Sequence, residues 1–261
     1  MHQTFFLRAT VACLTLVFSA AAQQPSPEAP APSTEKAAIE QIVRQYILLH
    51  PEVLVESMRV YQERERAEQQ KRSRETVLAH LNDLQHDPSS PVTGAGPGLT
   101  IVEFFDYHCG FCKRAEGIIQ KVLADHPDVH FVFKEFPFLG TESALAAKAS
   151  LAADKQGGYL KFHQALMALS GSISLSAIED LAARQGLDVS RLKKDIESPE
   201  IKAALLKNRE LGRDLGVKST PSFVIGSELV QGVIDAAAFD RLISEAQTRG
   251  SHAELSSRAH H

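Results

Sequence analysis

Seven consecutive residues, Leu99-Thr100-Ile101-Val102-Glu103-Phe104-Phe105, are apolar on both faces of an extended chain except at Glu103. Side chains alternate between faces along a strand, so such a run needs cover on both sides and belongs inside a layered sheet. Cys109-Gly110-Phe111-Cys112 follows closely. Beyond it, Ala115, Ile118, Ile119, Val122 and Leu123 recur at the three- and four-residue steps of a helix with one apolar face. Val129, Phe131 and Phe133 then mark a second strand over 129–136. Strand, helix and strand in that order predict a right-handed crossover between parallel strands. The class is therefore α/β.

Downstream, residues 141–216 hold only helical patterns, at 142–156, 159–169, 174–185, 188–197 and 199–215. Phe223-Val224-Ile225 and Glu228-Leu229-Val230, joined across Gly226-Ser227, read as a hairpin. Asp235 is placed to cap a last helix through Ala246, and residues 250–261 read as a frayed tail.

Upstream, residues 23–34 are rich in Pro, Ala and Ser and read as a flexible linker. Ile39, Ile42, Val43, Tyr46 and Ile47 open a helical stripe that His50-Pro51 interrupts, because the residue before a proline is pushed out of the helical region. Pro51 suits the first turn of the next helix, whose stripe is Val53, Leu54, Met58 and Tyr61. Residues 62–76 are polar but strongly helix-forming. Val77, Leu78, Leu81 and Leu84 resume the stripe before Asp87-Pro88 ends it, and residues 94–98 form a second joint. Residues 35–90 thus read as a helical arm and the body as starting at Leu99. Helices of this kind depend on packing for stability. The arm is expected to pair with copies of itself in preference to docking on the body.

The chain starts with one firm positive charge, Arg8, an apolar run over 9–18, and Ser19-Ala20-Ala21-Ala22 before Gln23. This is the order of a secretory signal peptide cleaved near Ala22. The run is too short to span a bilayer, which takes about 20 residues. An uncleaved anchor and a lipoprotein signal at Cys13 are the alternatives. Export implies a periplasmic or secreted protein. A net charge of -4 gives no reason to expect nucleic acid as a partner.

Removing residues 1–22 leaves Cys109 and Cys112 from a total of three cysteines. One disulfide closing so small a loop adds little stability through chain entropy, so the pair is expected to be reactive. A zinc half-site would need two further ligands, and His108 alone cannot supply them; neither a metal nor a cofactor is expected. At a helix start the free N–H groups and the dipole favour an anion, and thiolate is the nucleophile of disulfide exchange. Cys109 is then the exposed attacker and Cys112, one turn in, the resolving thiol. Glu103, in an apolar strand, is either a buried carboxyl with a raised pKa that passes a proton to or from Cys112 or a solvated residue at a sheet edge. His108 is either a stabiliser of the Cys109 thiolate or a solvated loop histidine. His163 reads as a packing residue.

Residues 99–250, carried by IVEFFDYHCGFC (101–112), KEFPF (134–138) and STPSF (219–223), resemble the DsbA family of thioredoxin-fold proteins. The resemblance implies a thioredoxin fold with an inserted all-helical domain, here preceded by the helical arm. It implies that Pro221 is a cis-proline facing the active-site disulfide, that Thr220 offers backbone hydrogen bonds to substrate, and that Glu103 lies beneath the disulfide. It also implies exported proteins with missing or wrong disulfides as partners, and a membrane redox partner. Strongly oxidising members carry Pro-His between the cysteines. Here Gly110-Phe111 resembles the CGYC of the exported isomerase DsbC, and Thr220 matches that isomerase too. The arm resembles the ScsC/Com1-like branch, whose arms form oligomers; a homo-oligomer, with a trimer favoured, is the expectation. The leading reading is an enzyme that exchanges or isomerises disulfides. A net dithiol oxidase is the alternative. A copper-binding protein or holdase using the two thiols as soft ligands is the alternative of another class.

Overall fold

β2 (Thr100–Phe105) is the central strand of a five-stranded sheet in the order β1–β3–β2–β4–β5. The computed structural model describes residues 34–94 and 98–258, with side chains to residue 250. The expected signal peptide and nearly all of the 23–34 linker lie outside the described residues.

β2 pairs in parallel with β3 (His130–Glu135) and antiparallel with β4 (Ser222–Ile225). β1 (Val92–Thr93) and β5 (Glu228–Gln231) add antiparallel edges. The crossover between β2 and β3 is α4 (Gly110–Asp125). Five helices intervene before β4: α5 (Thr141–Asp154), α6 (Tyr159–Ala168), α7 (Leu175–Arg184), α8 (Val189–Ile196) and α9 (Pro199–Leu215). They are the thioredoxin fold's all-helical insertion, as the resemblance implies. Their starts are capped as the residue types demand: Ser174 accepts from Ala177 N, Asp188 from Arg191 N and Ser198 from Ile201 N, with Pro199 in the first turn. α9 ends at Gly216, whose φ of 75° is open to glycine at little cost.

The sheet divides the core. On one face Ile101, Phe105, Phe131, Phe133, Phe223 and Ile225 pack against α4, the insertion and α10 (Ala236–Arg258). On the other face Val102, Phe104, Val132 and Val224 pack against Leu211 and Leu215 of α9, with Val77 and Leu84.

α1 (Thr34–Leu49), α2 (Glu52–Ala79) and α3 (Leu81–Gln85) precede the sheet. The chain falls into two units, Met1–Val60 and Tyr61–His261. In the first, α1 buries no residue, and Ile39, Ile42, Val43 and Tyr46 are all exposed. In the second, Val77, Leu84 and the 83–93 segment are part of the body. The body therefore starts well before Leu99, because Lys134 of β3 is fully buried and takes its partners from this segment. Its Nζ donates to Asp83 O at 2.7 Å and Ser90 Oγ at 2.8 Å, and stands 3.3 Å from Asp87 Oδ2. The last helix also differs from expectation. Asp235 does cap it, accepting from Ala238 N at 2.8 Å, but α10 continues to Arg258.

Candidate redox site

The β2 strand delivers the chain into a short loop held by one carboxylate. Asp106 is buried and accepts from His108 N at 2.8 Å, Phe138 N at 3.0 Å, Leu139 N at 3.1 Å and Ser143 Oγ at 2.7 Å. Its backbone carbonyl also accepts from Cys109 N at 3.0 Å. Two loops, which follow the C-terminal ends of the parallel strands β2 and β3, are so tied together beside the redox pair.

Cys109 is the N-cap residue of α4, in an extended conformation, and its sulfur accepts from Cys112 N at 3.4 Å. A sulfur in that place takes the position of an N-cap oxygen, and negative charge on it is favoured by the helix start. On its other side Cys109 Sγ donates to the carbonyl of Thr220 at 3.2 Å. The Thr220–Pro221 bond is cis. Both cysteines are free thiols. Cys109 retains 7% of its surface against 1% for Cys112, so it is the more open of the two but not the exposed thiol expected; Thr220 lies against it. Burial pushes the Cys112 thiol far up, and the Glu103 carboxyl adds to the push.

Glu103 is buried on the central strand, opposite Phe133 on one side and Phe223 on the other. That position excludes the sheet-edge alternative. Neither carboxyl oxygen has a hydrogen-bond partner among the described residues. Burial holds its pKa well above the usual carboxylate range, and the charges of Glu116, Glu135 and Cys109 raise it further. A partnerless buried carboxyl of this kind stays protonated more readily than any surface acid.

His108 is not aimed at a free solvent position. Its Nε2 is 2.9 Å from Glu142 Oε2, at the start of α5, and a third of the side chain is exposed. Phe111 is 57% exposed, and the Arg114 guanidinium lies over its ring at 4.3 Å.

The sequence reading missed three buried acids, Asp106, Glu116 and Glu135. His163, read as a packing residue, does stack among aromatic rings, 4.9 Å from those of Phe105 and Phe133. It is also hydrogen-bonded at both nitrogens, to Glu116 Oε2 at 3.1 Å and to the Tyr107 hydroxyl at 2.9 Å. One signal was present: Glu116 is four residues beyond Cys112, hence on the same buried face of the helix. Among the described residues no group of three or more His, Cys, Asp or Glu side chains could hold a metal ion.

Comparison with known proteins agrees with this geometry. A family model described as "DSBA-like thioredoxin domain" matches residues 100–244, and one described as "Copper resistance protein ScsC N-terminal domain" matches residues 35–68. A thioredoxin-like oxidoreductase from Silicibacter pomeroyi is 39% identical, with 64% of this chain and 97% of that chain covered and a TM-score of 0.62. The catalytic domain of Proteus mirabilis ScsC is 31% identical, with 66% and 97% covered and a TM-score of 0.61. ScsC of the same organism in a transitional conformation is 28% identical, with 82% and 98% covered and a TM-score of 0.62. Among curated proteins, the Na(+)/H(+) antiporter NhaA 1 of Salinispora arenicola is 25% identical over 151 residues, 57% of this chain. The chain spans only 23% of that antiporter's length. Among the described residues no helix is long and apolar enough to cross a membrane.

Proposed function

The chain belongs to the family of DsbA-like thioredoxin domains, and from that membership we propose that it is an exported enzyme that exchanges or isomerises disulfides in other exported proteins through Cys109 and Cys112. One observation carries this reading: the Cys109 sulfur stands at the start of α4, between the amide of Cys112 and the carbonyl of Thr220. A thiolate there attacks one sulfur of a substrate disulfide and releases the other as thiolate. The mixed disulfide has two fates. Cys112, losing its proton to Glu103 when that carboxyl is in its ionised form, attacks Cys109 and leaves a reduced substrate; or a second substrate thiolate attacks instead and leaves a rearranged one. Thr220 and Pro221 supply the backbone against which an extended substrate lies. His108 orders the loop through Glu142.

The direction favoured is isomerisation, with net oxidation the alternative. No charged group stands between the two cysteines, and Phe111 with Arg114 forms an exposed apolar and cationic rim suited to unfolded chains. The short apolar run over 9–18 supports export to the periplasm, where a membrane partner would reload the site. The exposed stripe of α1 and the ScsC-type match over residues 35–68 support a homo-oligomer, with a trimer favoured. That same match is what favours copper handling, for which Cys109 and Cys112 would be the soft ligands.

The deciding experiment combines active-site and arm variants. Cys109→Ser should abolish insulin reduction, and Cys112→Ser should accumulate mixed disulfides with substrate. Deleting residues 23–60, a cut that spares Val77 and Leu84, should give a monomer by light scattering that still reduces insulin but restores scrambled ribonuclease poorly. A full-length monomer at micromolar concentration returns the reading to net oxidase. Tight copper(I) binding with no insulin reduction by the wild type returns it to the copper class.

A further inference from the structure

A groove of about 510 Å³ opens between the segment that follows β3 and the helices α5 and α9. Disulfide exchange as written above does not use it. Its volume falls within the range of about 300–1,000 Å³ usual for ligand-binding clefts. Phe136, the more buried of its two rings, packs edge-on against Phe104 at 5.7 Å and beside Phe138 at 5.9 Å. A Cβ on Gly212 would collide with the Phe136 ring, so a glycine of α9 lets that ring seat closely. Phe138 and Leu206 line the groove while 51% and 59% exposed. Large apolar side chains gathered uncovered in one concavity mark a binding surface.

The polar side chains of the groove are all cationic. Lys148, Lys202 and Arg209 line it and no acid does, on a chain whose net charge is -4. Lys148 and Lys202 share Glu197, at 3.9 and 3.0 Å, and Glu197 stands outside the groove. Arg209 is exposed and has no ion-pair partner among the described residues. Apolar walls with a cationic rim complement a segment that carries bulky apolar residues next to acidic ones.

The groove belongs to the same end of the sheet as the redox pair. β2 and β3 are parallel, Phe105 lies opposite Glu135, and Phe136 N donates to Phe105 O at 3.0 Å. The redox loop and the 136–140 segment therefore leave neighbouring strands side by side, about 4.8 Å apart. Asp106 ties them, accepting from His108 N in one and from Phe138 N and Leu139 N in the other. Ligands of open α/β sheets bind at these carboxyl ends of the strands.

We propose that this groove is a second docking site for the substrate chain, and that it takes an apolar segment flanked by Asp or Glu. This names the substrate class of the redox centre and rests on that reading. Thr220 and Pro221 meet the backbone beside the reacting sulfur, and the groove holds side chains farther along the same polypeptide. Two points of attachment keep a misfolded chain engaged while its disulfides are exchanged.

The test uses the full-length reduced protein and three peptides, each carrying one cysteine as a mixed disulfide with glutathione. A glycine–serine spacer of about ten residues, spanning roughly 17 Å, joins the cysteine to Phe-Leu-Glu-Glu, Phe-Leu-Lys-Lys or Ser-Ser-Glu-Glu. The Cys109 thiolate attacks the mixed disulfide, one S–S bond forms as another breaks, and chromatography follows the loss of each peptide. At low salt the wild type should consume the first peptide about tenfold faster than either twin, and salt should shrink the lead over the lysine twin. Arg209→Glu should abolish the lead over the lysine twin, and Leu206→Asp the lead over the serine twin. Arg213→Glu makes the same change of net charge one turn along α9, outside the groove, and should leave both leads as they were. Equal rates for the three peptides overturn the docking site while leaving the redox pair intact. So do leads that survive in folded Arg209→Glu and Leu206→Asp, or that Arg213→Glu removes equally well. A fall in particle mass by light scattering for Leu206→Asp would make the groove an interface between copies and overturn it too. A wild type that consumes no mixed disulfide at all ends the reading of the redox pair itself.

Discussion

The two faces of the sheet bury ionisable groups in opposite ways. On the face shared with α9, Lys134 is wholly buried, and its ammonium is matched by Asp83 O, Ser90 Oγ and Asp87. On the face shared with α4, Glu103 is as deeply buried and has no partner at all among the described residues. A buried charge is tolerated when paired and hydrogen-bonded, and a lone one neutralises itself by shifting its pKa. One face therefore holds charges that lock a chain segment in place, and the other holds protons that can move. The difference separates stability from chemistry within a single five-stranded sheet.

The comparison breaks hardest at Lys134. Lys134→Ala would leave Asp87 buried with only Ser89 and the half-exposed Lys207, 3.4 Å away, as partners. Removing one partner of a buried pair costs about 3 kcal/mol or more. Urea unfolding should show that loss, while the folded fraction exchanges disulfides at the wild-type rate. A loss below about 0.5 kcal/mol would mean that Lys134 does not anchor the 83–90 segment.

On the other face Glu103→Leu should have the reverse pair of effects. Removing an unpartnered polar group from the core should raise stability by about 1 kcal/mol. Losing the proton acceptor beside Cys112 should slow resolution of the mixed disulfide on the order of a hundredfold. Stopped-flow kinetics with a mixed-disulfide substrate reads the second effect. Unchanged resolution with raised stability would reduce Glu103 to a packing defect.

The redox face was largely legible in the chain and the anchoring face was not. Cys109 and Cys112 announce themselves by standing between a strand pattern and a helix pattern, and Glu103 by being the one acid in an apolar run. All of those signals are local. Lys134 and Asp87 meet across 47 positions, and nothing near either says that a partner waits there. Asp106 likewise shows its purpose only when the loop at residues 138–143 comes back to it. The limit of the arm was misplaced for a related reason. The stripe through Val77 and Leu84 has the same period as the stripe through Ile39 and Tyr46, and periodicity says that a face will be covered without saying by what. Val77 is covered by the body and Ile39 is exposed.

The gentlest test separates the two faces by pH alone. Burial pushes the Asp87 carboxyl up, but Ser89, through its N–H and hydroxyl, and Lys134 pull it down further, from 3.8 to about 2. A carboxyl whose folded pKa is depressed stabilises the fold above its unfolded value, and that contribution disappears as pH falls from about 4 through 2. The amount is roughly 2 kcal/mol. Glu103 has the opposite sign. Its folded pKa is raised above 4.5, so the unfolded chain gives up the proton first and stability falls as pH rises from there through the folded value. Glu135 bends the same limb in the same sense. Urea midpoints measured from pH 2.5 to 8 should therefore respond to the two faces separately. Asp87→Asn should flatten only the acid limb, and Glu103→Leu should flatten part of the limb above pH 4.5 and leave the acid limb as it was. If each substitution altered both limbs alike, the charges on the two faces would be one coupled set, and the division of labour across the sheet would not hold.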